Sequence, residues 1–218
     1  MKFRYLILSV LFSLLLFSCE EYTDPLDNTI RPGHIYCSDG SIVYPEKLDS
    51  TKTPIGVVFW ANTNNNTEID AKAFAVGLRD IAPTQWADRP VLVDNVSTDI
   101  NKFDGLANTI SMIAYDLTDT VSNITSSQRM FNYMPNTSWF IPSAGQMKAL
   151  YFTKNEVNKS ILAVKGEKLN NWYWSSTQDG TNDEASRLFA YIVSVENGTI
   201  NQSTKTNKYA IRPIITIK

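Results

Sequence analysis

The first eighteen residues decide how much of this chain is available to fold. Lys2 and Arg4 give the start a positive charge, and an apolar run over residues 6–17 follows, interrupted only by Ser9 and Ser13. This is the layout of a secretory signal. The run is too short to cross a membrane, because a hydrocarbon core of about 30 Å needs about 20 apolar helical residues, and here Cys19, Glu20 and Glu21 end it. Residues 1–18 are therefore expected to leave as a signal peptide. The rest of the 218 residues suffice for one domain with a sizeable core. Without Lys2 and Arg4 the chain keeps 18 basic against 22 acidic residues, no footprint for nucleic acid. A hydrophobic content of 43% with 11% aromatics fits a folded body, not a disordered one.

Leu16-Phe17-Ser18-Cys19 resembles the lipobox of bacterial lipoproteins, in which a small residue precedes a cysteine that is acylated and becomes the mature amino terminus. The resemblance implies lipidation at Cys19 and a membrane as partner, each buried methylene contributing about 0.8 kcal/mol. Cys19-Glu20-Glu21 also resembles the acidic tag that carries some lipoproteins to the outer face of the outer membrane, so the implied location is the cell surface. With Cys19 consumed by lipid, Cys37 is the only thiol left, and the domain must stand on its apolar core without a disulfide. Cys37 reads as a small buried hydrophobe. His34 alone cannot make a histidine-rich metal site, and no metal or cofactor is expected.

Residues 19–31 are acidic, contain Pro25 and have no apolar period, as expected of a tether, and the domain is expected over residues 32–218. Ser38-Asp39-Gly40 between two short apolar stretches predicts a hairpin. Residues 54–60 read as a buried strand, and residues 71–81 fit helix or strand by pattern, with the short span and the following Pro83 favouring strand. Between Asp104 and Asp119, the spacing of Leu106, Ile110, Ile113, Ala114 and Leu117 predicts a helix with that face on the core. Ser143 and Gln146 have capping-box spacing, predicting a helix over residues 143–152 with Met147, Leu150 and Tyr151 inward. A second short helix is expected over residues 156–164, presenting Val157, Ile161 and Leu162 and closed by a left-handed Gly166. Residues 172–177, 187–195 and 209–217 read as strands, with Asn197-Gly198 as a second hairpin turn. Helices between strands at both ends imply an α+β domain whose termini meet in one sheet.

Three stretches, Trp139-Phe140-Ile141-Pro142-Ser143-Ala144-Gly145-Gln146, Tyr173-Trp174-Ser175-Ser176-Thr177 and Ile211-Arg212-Pro213-Ile214, resemble signatures of bacterial lipoproteins with a C-type-lectin-like fold. That group is similar to the C-terminal domain of a bacterial collagen-like adhesin and, distantly, to the formylglycine-generating enzyme family. The resemblance implies a twisted antiparallel sheet with flanking helices and long loops. The motif residues read as scaffold: Trp139 and Trp174 bury large area, and Arg212 in an apolar strand needs a carboxylate or carbonyls.

The loops over residues 178–186 and 201–207 are then where a recognition face is expected. The candidate ligand-binding residues are Trp172, Gln178, Asp179, Asn182, Asp183, Glu184, Arg187, Asn201, Lys205 and Asn207, with a glycan or protein as ligand. Calcium-dependent sugar binding in this fold uses Glu-Pro-Asn or Gln-Pro-Asp followed by Trp-Asn-Asp. Here only Met134-Pro135-Asn136 and Thr181-Asn182-Asp183 stand in their place, so the expected recognition is calcium-independent. The alternative is a structural subunit of a pilus or other envelope assembly, and a large exposed apolar patch would favour it. Formylglycine-type catalysis needs reactive cysteines that this chain lacks, and no other catalytic constellation is present. Asp49-Ser50-Thr51 and Asp119-Thr120-Val121 resemble a bacterial O-glycosylation motif.

Overall fold

The computed structural model describes residues 29–119, 123–131, 133 and 138–218. Cys19 and most of the tether, Met134-Pro135-Asn136, and Thr120 and Val121 lie outside the described residues. The chain is a mixed α+β body with two sheets. Strands β1 (Ile35–Cys37), β2 (Ile42–Val43), β3 (Pro54–Ala61) and β4 (Ala73–Gly77) come first, then β5 (Ile81–Gln85). Helices α1 (Gly105–Thr118) and α2 (Thr125–Phe131), strand β6 (Trp139–Phe140) and the long helix α3 (Ala144–Ala163) form the middle. Strand β7 (Trp172–Gln178), helix α4 (Asp183–Leu188) and strands β8 (Phe189–Ser194), β9 (Ile200–Thr204), β10 (Lys208–Ile211) and β11 (Ile214–Ile217) complete it.

One sheet has the order β2-β1-β3-β4-β11-β6 and the other β5-β10-β7-β8-β9. The first therefore joins strands from both ends of the domain. Both faces of this sheet are covered, which is why β3, β4 and β11 read as nearly continuous apolar runs. Val58, Ala75 and Ile215 pack on one side with Trp86, Met112 and Trp174. Val57, Val76 and Ile214 pack on the other with Met147, Leu150, Val157 and Ile161 of α3.

The expected strand over residues 71–81 is two strands in different sheets, and so is the one over 209–217. Both breaks lie at one place. The turn between β4 and β5 carries Asp80, the turn between β10 and β11 carries Arg212, and the two side chains pair at 3.0 Å. Arg212 also donates to the Glu167 carbonyl, and Tyr173 Oη donates to Asp80 at 3.2 Å. Pro213 lacks an N–H and ends β10, while its carbonyl accepts from Gly77 N at 2.8 Å. The Arg-Pro dipeptide thus switches sheets, with the buried guanidinium holding the crossing together. Burial raises the Asp80 carboxyl above the usual carboxylate range, an effect that Arg212 partly offsets.

The capping box forms as the spacing demands: Gln146 N–H donates to Ser143 Oγ at 3.3 Å, and Ser143 N–H to Gln146 Oε1 at 3.0 Å. The two helices expected over residues 143–164 are one, because residues 153–155 carry no breaker and Thr153 anchors the middle by donating to the Phe59 carbonyl at 2.8 Å. Of the expected inward residues, Met147, Leu150, Val157 and Ile161 are buried, Tyr151 is half-buried and Leu162 is exposed. The left-handed cap falls on Lys165, at φ +59, not on Gly166. Gly166 donates to the Ile161 carbonyl at 2.8 Å in a Schellman arrangement. It is needed for space, since a Cβ there would meet Ile161 Cγ2 and the Leu78 carbonyl.

Candidate functional site

The ten residues expected to bind a ligand divide into framework and surface. Gln178 closes β7 from the interior: its Oε1 accepts from Val93 N at 3.1 Å, and its Nε2 donates to Val93 O at 2.9 Å. Lys205 is fully buried; its Nζ donates to the Val91 carbonyl at 2.8 Å and to Gln178 Oε1 at 2.6 Å, and lies 4.1 Å from the centre of the Trp86 ring. Burial pushes its ammonium down to about 7. Asp179 is fully buried, its carboxylate accepting from Thr181 N at 2.7 Å and from the Gln202 amide. Trp172 is half-buried against the core. Gln178 and Lys205 fasten residues 86–93 to the second sheet, Asp179 ties its own turn to β9, and none of the three is offered to solvent.

The other six are exposed. Asn182 caps α4 by accepting from Ala185 N at 2.9 Å; Asp183 and Glu184 follow in its first turn and Arg187 lies in its last. Residues 183–188 are thus helix, where Arg187 was expected to open a strand. Asn201 lies on β9, and Asn207 donates to Ser203 Oγ at 3.0 Å. Residues 200–204 form a strand, not a loop. Among the described residues, no group of three or more His, Cys, Asp or Glu side chains is placed to hold a metal ion.

A different surface stands out, one that the apolar spacing revealed and then assigned to the wrong side. In α1 the buried positions are Gly105, Asn108, Thr109 and Met112. Leu106, Ile110 and Leu117, expected on the core, are 40%, 58% and 82% exposed; Ile113 is half-buried and Ala114 exposed. The polar inward face is explained by its partners. Asn108 Oδ1 accepts from Ser97 N at 2.9 Å, and its Nδ2 donates to Ser176 Oγ at 3.1 Å. Thr109 Oγ1 accepts from Ile141 N at 3.0 Å and donates to the Gly105 carbonyl at 2.8 Å. A Cβ at Gly105 would meet Gln146 Oε1 and the Ile141 carbonyl, so α1 is seated against the start of α3 by close backbone approach.

The outward side chains expose on the order of 300 Å² of apolar surface, the size at which patches on soluble proteins become contact sites. The surface extends beyond α1. Leu106 and Ile110 border a groove of about 390 Å³ lined also by Phe74, Phe103 and Phe140. Phe103 in turn borders a second groove of about 510 Å³ with Trp60, Phe152 and Lys148. Phe152 is 71% exposed.

This fold is shared with a fimbrial protein. A solved structure of a fimbrial protein from Bacteroides ovatus superposes with a TM-score of 0.63 at 19% sequence identity, over 86% of this chain and 49% of that one. At that identity the likeness is one of fold, and this chain spans about half the length of the protein it matches. No family model and no curated protein matches the sequence, so the expected membership of a C-type-lectin-like lipoprotein group gains no support there.

Proposed function

We propose that the chain is a non-catalytic structural subunit of a pilus or other cell-surface assembly. The observation that carries this reading is the uncovered apolar stripe of α1, running into aromatic grooves on the same body. A surface of that kind suits a lasting protein contact better than a transient soluble ligand. The fold shared with a fimbrial protein supports the same direction. In this reading Cys19 carries the lipid that holds the subunit at the outer membrane, facing outward, and the two sheets are a variant of the C-type-lectin-like arrangement. Its test is to crosslink the envelope of cells producing the full chain and to separate the products by size. Ladders of high-mass species containing the chain are expected; a chain recovered only as a monomer contradicts the subunit reading.

The recognition reading retains the exposed polar set on α4, β9 and the turn after it: Asn182, Asp183, Glu184, Arg187, Asn201 and Asn207. It predicts glycan or protein binding, insensitive to chelator, that is lost when Asp183, Glu184 and Arg187 are replaced by alanine. The subunit reading predicts that the same triple replacement leaves the ladders intact.

A further inference from the structure

We infer that the outward face of α3 rests on the anionic headgroups of the membrane that holds the chain's lipid, so that the domain lies against the membrane on this side. This rests on the reading of Cys19 as the lipid-bearing residue and says how the anchored body is turned. Lys148, Phe152, Asn155, Lys159 and Leu162 are spaced four, three, four and three residues apart, so they form one stripe along α3 on the side away from the sheet. Phe152 is 71% and Leu162 55% exposed. They are separate apolar side chains set among lysines, not a continuous patch. That arrangement suits shallow insertion among lipid headgroups, with the lysine stems lying flat and their ammonium groups at the phosphates, better than a packed protein contact.

The place where the chain enters the domain selects the same face. Pro32 borders the groove of about 510 Å³ that holds Phe152 and Lys148, and also a groove of about 520 Å³ with Lys159. Ser160 Oγ of α3 donates to the Gly33 carbonyl at 2.6 Å, so the first residues of the domain run alongside this helix. Residues 20–28 separate Cys19 from Thr29. A stretch of that length reaches about 35 Å at most, little more than the roughly 30 Å of α3 itself. A lipid on Cys19 therefore holds the α3 side of the body close to the membrane. Charge agrees with this placement. Without its first eighteen residues the chain is acidic, with 18 basic against 22 acidic residues, yet exposed Lys165 and Lys168 continue the lysines of the stripe past the end of α3. Glu46 and Glu156 share the groove beside Lys159, and Glu167 is paired with Arg79 at 3.2 Å. The lysines outnumber these acids, and an anionic headgroup surface attracts them within a Debye length.

The test reconstitutes the chain, purified from cell membranes, into vesicles of phosphatidylcholine and phosphatidylglycerol that carry a nitroxide on some headgroups. A fluorophore is placed on Asn155→Cys in the stripe or, as a control, on Asp183→Cys of α4, a helix whose Arg187 carbonyl accepts from Val91 N at 3.0 Å. Cys37 is buried and does not compete for the label. Expected is quenching at position 155 several-fold stronger than at position 183. The double replacement Lys148→Glu with Lys159→Glu should remove that difference, and Arg187→Glu with Lys208→Glu, an equal change of charge at other exposed sites, should leave it. Thermal melting establishes that the variants fold. Equal quenching at the two positions, or a difference that survives loss of Lys148 and Lys159, overturns the inference. The mass of the purified chain separates the two readings. An acylated chain with position 155 unquenched refutes the membrane-facing stripe and leaves the anchor standing, whereas a chain without an acyl group refutes the anchor and the inference with it.

Discussion

Helices α1 and α3 carry similar apolar spacing and bury opposite kinds of side chain. In α3 the periodic residues Met147, Leu150, Val157 and Ile161 face the first sheet and are fully buried. In α1 the periodic residues face away, and the buried face is glycine, asparagine, threonine and one methionine. Periodicity states that a helix has two faces and does not state which one is inside. What decides is the partner surface. α3 lies on apolar β3, whereas α1 lies across backbone amides of residues 97 and 141 that need hydrogen bonds, so a polar face satisfies them and the apolar one is left outside.

The contrast can be broken most forcefully in α3. Leu150→Ala should cost about 3 kcal/mol through lost burial and the cavity left behind, measured by denaturant unfolding; a cost below about 1 kcal/mol would mean that the helix packs loosely. Lys205 extends the lesson of α1 that polar groups can face inward when they are paired. Its folded pKa, about 7, lies below the unfolded 10.5, so between these values the unfolded chain holds a proton that the folded one lacks. Stability should therefore rise with pH across that window, by at most about 1.4 kcal/mol per unit, and Lys205→Met should flatten the rise. Asn108→Ala comes next, at about 2 kcal/mol, because it leaves the Ser97 amide unpartnered in a half-buried site. Removing the cap of α3 by Ser143→Ala should cost about 1 kcal/mol, visible as a lower melting temperature.

Much of the fold was legible in the residues. Asp39-Gly40 and Asn197-Gly198 make their turns with both glycines at positive φ, Ser143 and Gln146 cap a helix, and apolar runs mark β3 and β7. Three kinds of feature were not. The breaks at residues 78–80 and 212–213 are set by the Asp80 and Arg212 pair, whose members are far apart in sequence. The joining of two helical stretches into α3 depends on a strand beneath them. The interior placement of Gln178 and Lys205 runs against their polarity and follows only from the carbonyls and amides that the 86–93 segment brings to them, and that of Asp179 from the Thr181 amide and the Gln202 side chain. Arg187 and the Asp183-Glu184 pair read as strand and loop because α4 is a six-residue helix, too short to show a period.

The smallest expected effect is also the most direct test of the account, which holds that the apolar stripe of α1 is surface. Replacing Leu106, Ile110 and Leu117 together by glutamine and measuring equilibrium unfolding at dilute, monomeric concentration should give a stability within about 1 kcal/mol of the parent. A loss of several kcal/mol would show that these residues belong to the core, and the outward face of α1 would have to be abandoned.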